Sequence, residues 1–465
     1  MAAHPNSVTE TFPWDKELIR KYDVAGPRYT SYPTAAQFSE DFNGDAFIAY
    51  LKQRPQTIAP LSLYVHIPFC RDICYYCACN KLVTRKPGVA AKYLAYLEKE
   101  ARILEDLFHR RCVSQLHLGG GTPTYFDNAE LTQLMYVLSQ AFKLHDGNER
   151  EYSIEVDPRT VQPKTLALLK GLGFNRISMG IQDFDGCVQK AINRVQPFDL
   201  VKQLTESARH LEFNSLSFDL IYGLPYQSTA SMAETLSKVL DLRPDRISCY
   251  SYAHLPHRFT SQRSISRLAI PGAEEKLDIL KLIADKLTSA GYEYIGMDHF
   301  VVPEDGLAKA AREGKLHRNF QGYSTRHSSE LLGLGVSAIG SNSDLYVQNA
   351  HRLDDYYASL DKGILPINKV LQLNKEDHLR RDVIMSLICN MQVSFAEIES
   401  KHKINFNKHF REELNTLKQA QSEGIIDVSQ NSLCVTEIGR PLVRNLCMIF
   451  DQHLETTPQR FSRTI

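Results

Sequence analysis

The chain has 465 residues, and its 43% hydrophobic and 23% charged residues are typical of a globular protein. Its 54 Lys and Arg balance 54 Asp and Glu, so no excess of positive charge favours binding to nucleic acid. No stretch approaches the roughly 18 consecutive apolar residues of a membrane helix, which excludes a membrane span.

Residues 1–60 are predicted to form an N-terminal arm. Residues 1–16 lack the apolar stretch of a secretory signal and the Arg-rich pattern of a transit peptide, so a cytoplasmic location is expected. The motif PRYTSYPT, from Pro27 to Thr34, contains two prolines, which fix φ and disfavour a helix. We therefore expect this part of the arm to be extended.

Residues 61–373 are predicted to form an α/β domain with an extension. Six stretches rich in β-branched and aromatic residues predict strands, which begin at Leu61, Gln115, Glu151, Asn175, Ser215 and Arg246. Amphipathic helical patterns separate them, and this alternation indicates a parallel sheet built from right-handed βαβ units. Either a doubly wound sheet or a partial (β/α)6 barrel would fit. Polar residues such as His66, Glu155 and Asp219 end or follow several strands, which favours the mouth of a barrel.

Residues 374–465 are predicted to form a mainly helical C-terminal cap domain. Helical patterns are followed by a short hairpin at residues 425–437 and by a helix from Ile438 to about Leu454. This order resembles a winged-helix module, a fold often used on DNA. From Lys375 to Ile465, however, 12 Lys and Arg stand against 12 Asp and Glu, without the basic excess of a DNA-reading domain.

Four of the ten cysteines fall within ten positions: Cys70, Cys74, Cys77 and Cys79. Thiolates spaced as the first three are can ligate three irons of a [4Fe–4S] cluster and leave the fourth iron without a protein ligand. A structural zinc site that uses Cys79 and a ferredoxin-like electron carrier are the alternatives. Four cysteines this close would strain a tetrahedral zinc site.

The cysteine loop HIPFCRDICYYCAC is followed in order by HLGGGTPT, IEVDP, MGIQDF and DLIYGLP. With these motifs the chain resembles the radical S-adenosylmethionine (SAM) superfamily. With PRYTSYPTA, Cys79, GMDHF, HRNFQGY and LRRDVIMSLICN it resembles the oxygen-independent coproporphyrinogen III oxidase family over nearly its whole length. The resemblance implies a radical-SAM barrel that converts two propionate side chains of coproporphyrinogen III to vinyl groups. The product would be protoporphyrinogen IX, and the hydrogen would be abstracted by a 5′-deoxyadenosyl radical from SAM.

The resemblance also implies a set of site residues. Cys70, Cys74 and Cys77 would bind one [4Fe–4S] cluster, and two SAM molecules would bind per chain. The positions that match the first SAM site are Tyr64, Gly120, Glu155 and Ile339. Those that match the second are Tyr76, where the family has phenylalanine, with Gly121, Thr122, Gln182, Arg194, Asp219 and Ala253. No side chain is assigned as catalytic, because SAM supplies the radical.

Further expectations concern partners. Because the substrate carries four carboxylates, Arg28 and Lys81 are predicted to contact it, and Arg194 is suited to pair with a carboxylate in bidentate fashion. The resemblance implies an external electron donor of the flavodoxin or ferredoxin type, whereas the final electron acceptor cannot be identified from the sequence. A monomer that binds no nucleic acid is expected.

Two other functions compete with this one. A haem chaperone of the same superfamily would keep the barrel and the cysteine loop, but it is expected to lack both the PRYTSYPT arm and a cysteine at the position of Cys79. A regulatory protein that uses the winged-helix-like tail would need a basic face, which the balanced charge of that tail does not provide.

Overall fold

A 13-stranded mixed sheet forms the centre of the molecule. The computed structural model describes residues 12–40, 43–55, 57–325 and 330–454, together with residues 461 and 463. Every helix within these ranges is too short or too polar to span a lipid bilayer. The first elements, in chain order, are α1 (Lys16–Tyr22), α2 (Gly44–Gln53), β1 (Leu61–Ile67), β2 (Phe69–Cys70), β3 (Leu82–Val83), α3 (Val89–Phe108), β4 (Cys112–Gly120), α4 (Asn128–Ala141), β5 (Lys143–Leu144), β6 (Glu151–Val156), α5 (Pro163–Gly171), β7 (Arg176–Gln182), α6 (Gly186–Ala191), α7 (Phe198–His210), β8 (Ser215–Tyr222), α8 (Thr229–Leu242) and β9 (Arg246–Ser251).

Six long parallel strands lie in the sheet in the order of the chain: β1, β4, β6, β7, β8 and β9. The six predicted strands are confirmed, and each begins within three residues of its expected start. An order without reversal places the right-handed crossover helices on one face, as in a barrel, whereas a doubly wound sheet reverses at a switch point. The partial (β/α)6 barrel is therefore confirmed.

Alternate residues of these strands face the helices and the barrel interior. In β6, Ile154 and Val156 are buried in the apolar core that the helices share. Ser153 and Glu155, which alternate with these two residues along the strand, line an internal cavity of about 210 Å³. A strand with period two thus gives the barrel an apolar outer face and a polar interior.

Short strands extend the sheet on both sides of the barrel. The elements from residue 273 to residue 372 are α9 (Ala273–Ser289), β10 (Glu293–Gly296), β11 (His299–Val301), α10 (Gly306–Arg312), β12 (His317–Asn319), β13 (Gly322–Ser324), β14 (Glu330–Leu334), β15 (Ile339–Ser341), β16 (Leu345–Asn349), α11 (Leu353–Asp361) and β17 (Ile367–Gln372). Antiparallel β11 pairs with β9 and with β10, whereas β14 pairs with β1 in parallel and leads into antiparallel β15, β16 and β17. Most of these strands have only three to five residues, too few to show a clear period, and no strand was expected here.

The C-terminal part consists of α12 (Lys375–Asn390), β18 (Gln392–Ser394), α13 (Phe395–His402), α14 (Phe406–His409), α15 (Arg411–Ser422), β19 (Ile426–Val428), β20 (Ser432–Val435) and α16 (Val443–Ile449). Its three strands form an antiparallel sheet in the order β18, β20, β19, as in a winged helix. The predicted helix from Ile438 to Leu454 was wrong in its bounds. Pro441 lacks an N–H group and lies in a 3-10 turn, so the α-helix begins only after it.

The N-terminal arm packs into the same apolar core as the C-terminal helices. Tyr29 and Tyr32 are buried there, and residues 28–34 form neither helix nor strand, as expected. The Tyr29 hydroxyl donates to Asp451 at 2.9 Å, and the Tyr346 hydroxyl donates to the Tyr32 carbonyl at 2.9 Å. The arm therefore joins the C-terminal segment to the sheet. The domain boundaries at residues 60 and 373 remain predictions.

A buried carboxylate on α3 holds the turn that follows β14. Glu100 is 1% exposed and accepts hydrogen bonds from the Gly335 amide at 2.8 Å, the Tyr356 hydroxyl at 2.7 Å and the Asn349 side chain at 2.6 Å. Burial raises the pKa of Glu100 to about 7. A Cβ on Gly335 would lie 2.6 Å from the His66 carbonyl, so this turn packs tightly against the end of β1.

We expect Glu100→Gln to change how stability depends on pH. The folded-state pKa of Glu100, about 7, lies above its ordinary value of 4.5, so folding favours the protonated form. Its stabilising contribution is present below about pH 4.5 and is lost as the pH rises through 7, a loss on the order of 3 kcal/mol. Urea unfolding at pH 5 and pH 8 should show this loss in the wild type relative to the variant. The same pH dependence in both proteins would contradict the assignment.

Candidate active site at the mouth of the barrel

The loop after β1 carries the three cysteines and is fastened to the end of β4. The Gly121 amide donates to the Ile67 carbonyl at 2.8 Å, and the Thr122 amide donates to the Phe69 carbonyl at 2.9 Å. The Thr122 hydroxyl donates to Cys70 Sγ at 3.4 Å. The start of the cysteine loop is therefore fixed by backbone hydrogen bonds to the glycine-rich turn.

Two arginines point at the sulfur of Cys74. Arg159 Nη2 and Arg194 Nη1 each donate to Cys74 Sγ at 3.5 Å. Asp157 Oδ2 accepts from the same two nitrogens at 2.7 and 3.1 Å. Although burial opposes it, the charges of Arg194 and Arg159 lower the pKa of Asp157. Two positive charges, only partly balanced by one carboxylate, thus stabilise negative charge on this sulfur.

Cys77, Cys79 and Lys81 form the other side of the loop. A hydrogen bond from the Cys79 thiol lowers the pKa of Cys77, and the charge of Lys81 lowers it further. The Lys81 ammonium donates to the Cys77 carbonyl at 3.0 Å, whereas Arg28 donates to the Ser251 carbonyl at 3.2 Å. The two cations predicted to contact substrate therefore lie on different loops, and Lys81 stabilises the cysteine loop.

The glycine-rich turn after β4 has room for nothing larger than glycine. Gly120 has φ of +114°, and a Cβ there would lie 2.6 Å from Cε1 of His66. A Cβ on Gly121 would lie 2.7 Å from the backbone carbon of Pro68. Only glycine combines this backbone conformation with so close an approach. The Gly120 amide donates to Glu155 Oε2 at 3.1 Å, which brings the turn to the end of β6.

The four residues predicted for the first SAM site lie on neighbouring elements. Tyr64 is stacked on His117, with ring centroids 5.8 Å apart, and His117 Nε2 lies 3.2 Å from Glu155 Oε1. Tyr64 also pairs with Gly333 of β14, where an added Cβ would lie 2.7 Å from the Ile339 carbonyl. The four residues therefore lie within five adjacent strands, in the order β6, β4, β1, β14 and β15, of which β14 alone carries none of them.

Several residues predicted for the second SAM site surround the ends of β7 to β9. Gln182 has φ of +65° at a register shift near the end of β7, and the residue is buried. Asp219 is half-buried and accepts from the Ser178 hydroxyl at 2.9 Å, and burial raises its pKa to about 6. The carbonyls of Tyr76 and Ala253 are linked by one side chain, since Gln262 Nε2 donates to both, at 3.0 and 3.1 Å.

Arg194 is buried, and most of its guanidinium is already engaged. Its Nε and Nη2 donate to the Gly180 carbonyl at 3.2 and 2.7 Å, and its Nη1 donates to Asp157 and Cys74. These bonds use four of the five guanidinium N–H groups, so a bidentate pair with a ligand carboxylate would require at least one of them to break. In this structure Arg194 links β7 to the cysteine loop.

Arg159 was missed from the sequence. It stands two residues after Asp157, just beyond the IEVDP motif, and spacing alone does not indicate that its side chain turns toward Cys74. His66, predicted only as a polar residue that ends a strand, connects Tyr64 to the loop, since its two ring nitrogens lie 3.0 Å from the Tyr64 hydroxyl and 3.0 Å from the Asn80 carbonyl.

The polar interior of the barrel opens below these residues. Its cavity of about 210 Å³ is lined by His117, Glu155, Ser178, Asp219, Tyr250 and His299, among other side chains. This lining runs from Glu151, Arg176 and Arg246, at the amino ends of their strands, to Glu155 near the mouth, so polar side chains fill the barrel interior below the candidate active site.

Comparison with known proteins identifies relatives along the whole chain. A family model described as the radical SAM superfamily matches residues 64–239, and one described as the HemN C-terminal domain matches residues 373–442. The oxygen-independent coproporphyrinogen III oxidase of Pseudomonas aeruginosa is 47% identical over 458 residues, which cover 98% of this chain and 100% of the relative. The Escherichia coli protein of the same name is 48% identical over 454 residues, 97% of this chain and 98% of that one. The solved structure of coproporphyrinogen III oxidase (HemN) from Escherichia coli superposes with a TM-score of 0.91 at 46% identity, covering 96% of this chain and 100% of that structure.

Proposed function

The chain belongs to the oxygen-independent coproporphyrinogen III oxidase family of the radical SAM superfamily, and from this premise we propose how its residues act. It catalyses the oxygen-independent oxidation of coproporphyrinogen III by radical SAM chemistry, which uses a [4Fe–4S] cluster and SAM. The haem-chaperone alternative is set aside, since the full-length relatives reported above are oxidases by name.

Cys70, Cys74 and Cys77 are proposed as the protein ligands of the cluster. Thiolates are the ligands such clusters take, and the three sulfurs belong to one loop that backbone hydrogen bonds hold in place. Among the described residues, no three His, Cys, Asp or Glu side chains gather as a single metal ion requires. A [4Fe–4S] cluster does not require the three thiolates to meet at one metal ion, because each thiolate binds a different iron. Cys79 is proposed to support Cys77 through its hydrogen bond rather than to bind iron.

When bound, the reduced cluster and SAM supply a 5′-deoxyadenosyl radical, which can abstract hydrogen from an unactivated propionate carbon. The chain's own residues then have to bind SAM and the substrate and orient them toward each other. Gly120 lets the backbone approach the methionine part of the first SAM, and Glu155, 43% exposed at its side chain, can accept hydrogen bonds from an amine or a ribose hydroxyl. Tyr64 and Ile339 provide contact surface. No side-chain base is needed, since the hydrogen leaves as an atom.

A second SAM is proposed to bind beside the first, with Tyr76, Gly121, Thr122, Gln182, Arg194, Asp219 and Ala253 around it. Asp219 supports this, because its half-buried carboxylate, which accepts from the Ser178 hydroxyl at 2.9 Å and from Ser248, keeps lone pairs that can accept further donors. Arg194 is proposed to contribute charge rather than a bidentate pair. Equilibrium binding tests the proposal: SAM should saturate at two per chain in the presence of substrate, and saturation at one would contradict it.

Further parts of the proposal concern partners. We propose two decarboxylations per substrate molecule that yield protoporphyrinogen IX, with Arg28 and Lys81 contacting substrate carboxylates. The electron donor is proposed to be external, of the flavodoxin or ferredoxin type, and the protein to act as a cytoplasmic monomer without nucleic acid. The observation that carries the proposal is the fastening of the three-cysteine loop to the glycine turn at the barrel mouth.

We expect Arg159→Gln to lower the reduction potential of the cluster without removing it. The N–H of Arg159 that points at Cys74 Sγ stabilises the more negative, reduced state, so its loss makes reduction harder. Each kcal/mol of lost stabilisation corresponds to roughly 40 mV in a one-electron couple. An EPR-monitored redox titration should show a shift of about this size, with full iron content, whereas Arg85→Gln, at an exposed ion pair with Asp72, should show none. An unchanged potential in Arg159→Gln would contradict the assigned role.

A further inference from the structure

Two cations from separate segments meet at the carboxyl end of β9. Arg28, on the N-terminal arm, donates from Nη2 to the Ser251 carbonyl at 3.2 Å. Lys276, on α9, donates from Nζ to the Ser251 hydroxyl at 3.1 Å and to the Tyr252 carbonyl at 3.4 Å. A guanidinium and an ammonium group therefore share one strand end.

Neither cation is neutralised by a carboxylate. In the described parts of the chain, no Asp or Glu oxygen lies within 4.0 Å of Arg28 or Lys276. Asp23 attracts Lys276 but is itself paired with Arg463 at 2.6 Å, and Asp298 attracts Arg28 from beyond ion-pair distance. Burial lowers the pKa of Lys276, as do the charges of Arg463 and Arg28. A half-buried charge whose near partners are neutral oxygens is one that a bound anion would stabilise.

The arm is held so that Arg28 stays at this position. The buried guanidinium of Arg444 donates from Nη2 to the carbonyls of Gly26 and Pro27, at 3.0 Å each, and from Nε to the Pro27 carbonyl at 3.1 Å. The next residue, Arg28, is exposed. The fixed backbone keeps this guanidinium beside Ser251, so binding a ligand there requires no further ordering of the arm's backbone.

The pair lies at the mouth of the barrel. Gly223, directly after β8, has φ of +81°, and a Cβ there would lie 2.6 Å from Cε of Lys276. Lys276 also lies over the ring of Tyr222, the last residue of β8, with its Nζ 5.9 Å from the ring centroid. The cations therefore border the ends of β8 and β9, the strands that carry Asp219 and lead to Ala253.

We propose that Arg28 and Lys276 together bind a propionate carboxylate of coproporphyrinogen III at this edge of the barrel. The substrate carries four propionates and keeps two of them, so a cation pair can anchor one that does not react. A planar guanidinium can hold both oxygens of a carboxylate, and an ammonium adds a point charge. This inference rests on the proposed function, which supplies the substrate, and it adds Lys276 to the binding site.

The test measures substrate binding separately from the radical chemistry. Binding of coproporphyrin III, the oxidised tetracarboxylate, is followed by fluorescence, and KM for coproporphyrinogen III is measured anaerobically with saturating SAM. Lys276→Met and Arg28→Gln should each weaken binding and raise KM by about tenfold or more, as expected for loss of a charge-assisted bond. Arg28→Lys should recover part of the loss. Lys281→Met, on the same helix and paired with Asp285, should bind as the wild type does.

Iron content and SAM cleavage without substrate should be unchanged in every variant. Unchanged affinity and KM in Lys276→Met would overturn the inference, as would an equal loss in Arg28→Lys and Arg28→Gln. Loss of iron in Lys276→Met would also overturn it, because Lys276 would then act by supporting the fold around the cluster rather than by contacting substrate. If the wild type binds coproporphyrin III but forms no protoporphyrinogen IX, the proposed function fails, while the binding comparison still decides the carboxylate site.

Discussion

Replacing Cys70, Cys74 or Cys77 by serine, one at a time, is expected to remove most of the iron and all SAM cleavage. If these three thiolates are the only protein ligands, no other side chain can replace a lost one, and a serine hydroxyl is a poor ligand for iron in such clusters. The surrounding loop should stay folded, because the bonds that hold it involve the backbone of Gly121 and Thr122. Iron analysis and the absorption spectrum after anaerobic reconstitution measure the effect.

Two matched variants make this test specific. Cys79→Ser should keep the iron, because its proposed role is a hydrogen bond to Cys77, and Cys112→Ser, at the start of β4, should behave as the wild type does. Equal iron in the wild type and the three ligand variants would disprove the cluster assignment. Zinc in place of iron in anaerobically purified protein would favour the zinc-site alternative.

Arg194→Ala is expected to lower decarboxylation by at least about tenfold while the cluster and the first SAM remain. The variant loses a buried charge that touches Gly180, Asp157 and Cys74, and a charge-assisted bond contributes on the order of 1.5 to 3 kcal/mol. Asp157 keeps Arg159 as a partner, so the loop is not left with an unpaired carboxylate. Product formation and SAM stoichiometry are the measurements.

Arg209→Ala serves as the control, because Arg209 forms a partly exposed ion pair with Asp245 on the outer side of the barrel. It should turn over normally. Arg194→Ala with normal turnover would show that the residue is dispensable for the second SAM. Loss of iron in Arg194→Ala would instead assign Arg194 to support of Cys74 alone.

The barrel could be predicted because its strands and helices are long enough to show their periods. The alternation of apolar and polar residues in β6 and the apolar stripe of α3 reflect which side of each element faces the core. The extension beside β1 could not be predicted, because a strand such as Ile339–Ser341 has only three residues and pairs with strands close to it in sequence. Pro441 is evident in the sequence, yet the predicted helix from Ile438 includes it, whereas the α-helix begins at Val443.

The candidate site likewise contains residues that could be selected from the sequence and residues that could not. The cysteine spacing carries chemical meaning by itself, so Cys70, Cys74 and Cys77 could be selected before any fold was known, whereas Gly120 was selected through the family resemblance. Arg159 and Lys276 could not be selected, because their contacts with Cys74 and Ser251 depend on side-chain directions set by distant elements. The involvement of Arg194 with backbone and Asp157 likewise appears only in three dimensions.

The central claim is tested most directly by anaerobic incubation of the reconstituted protein with coproporphyrinogen III, SAM and a reductant, followed by chromatography of the products. The account predicts protoporphyrinogen IX together with two molecules each of carbon dioxide and 5′-deoxyadenosine per substrate molecule. Tight haem binding without any decarboxylation, in protein that carries its full complement of iron, would contradict it.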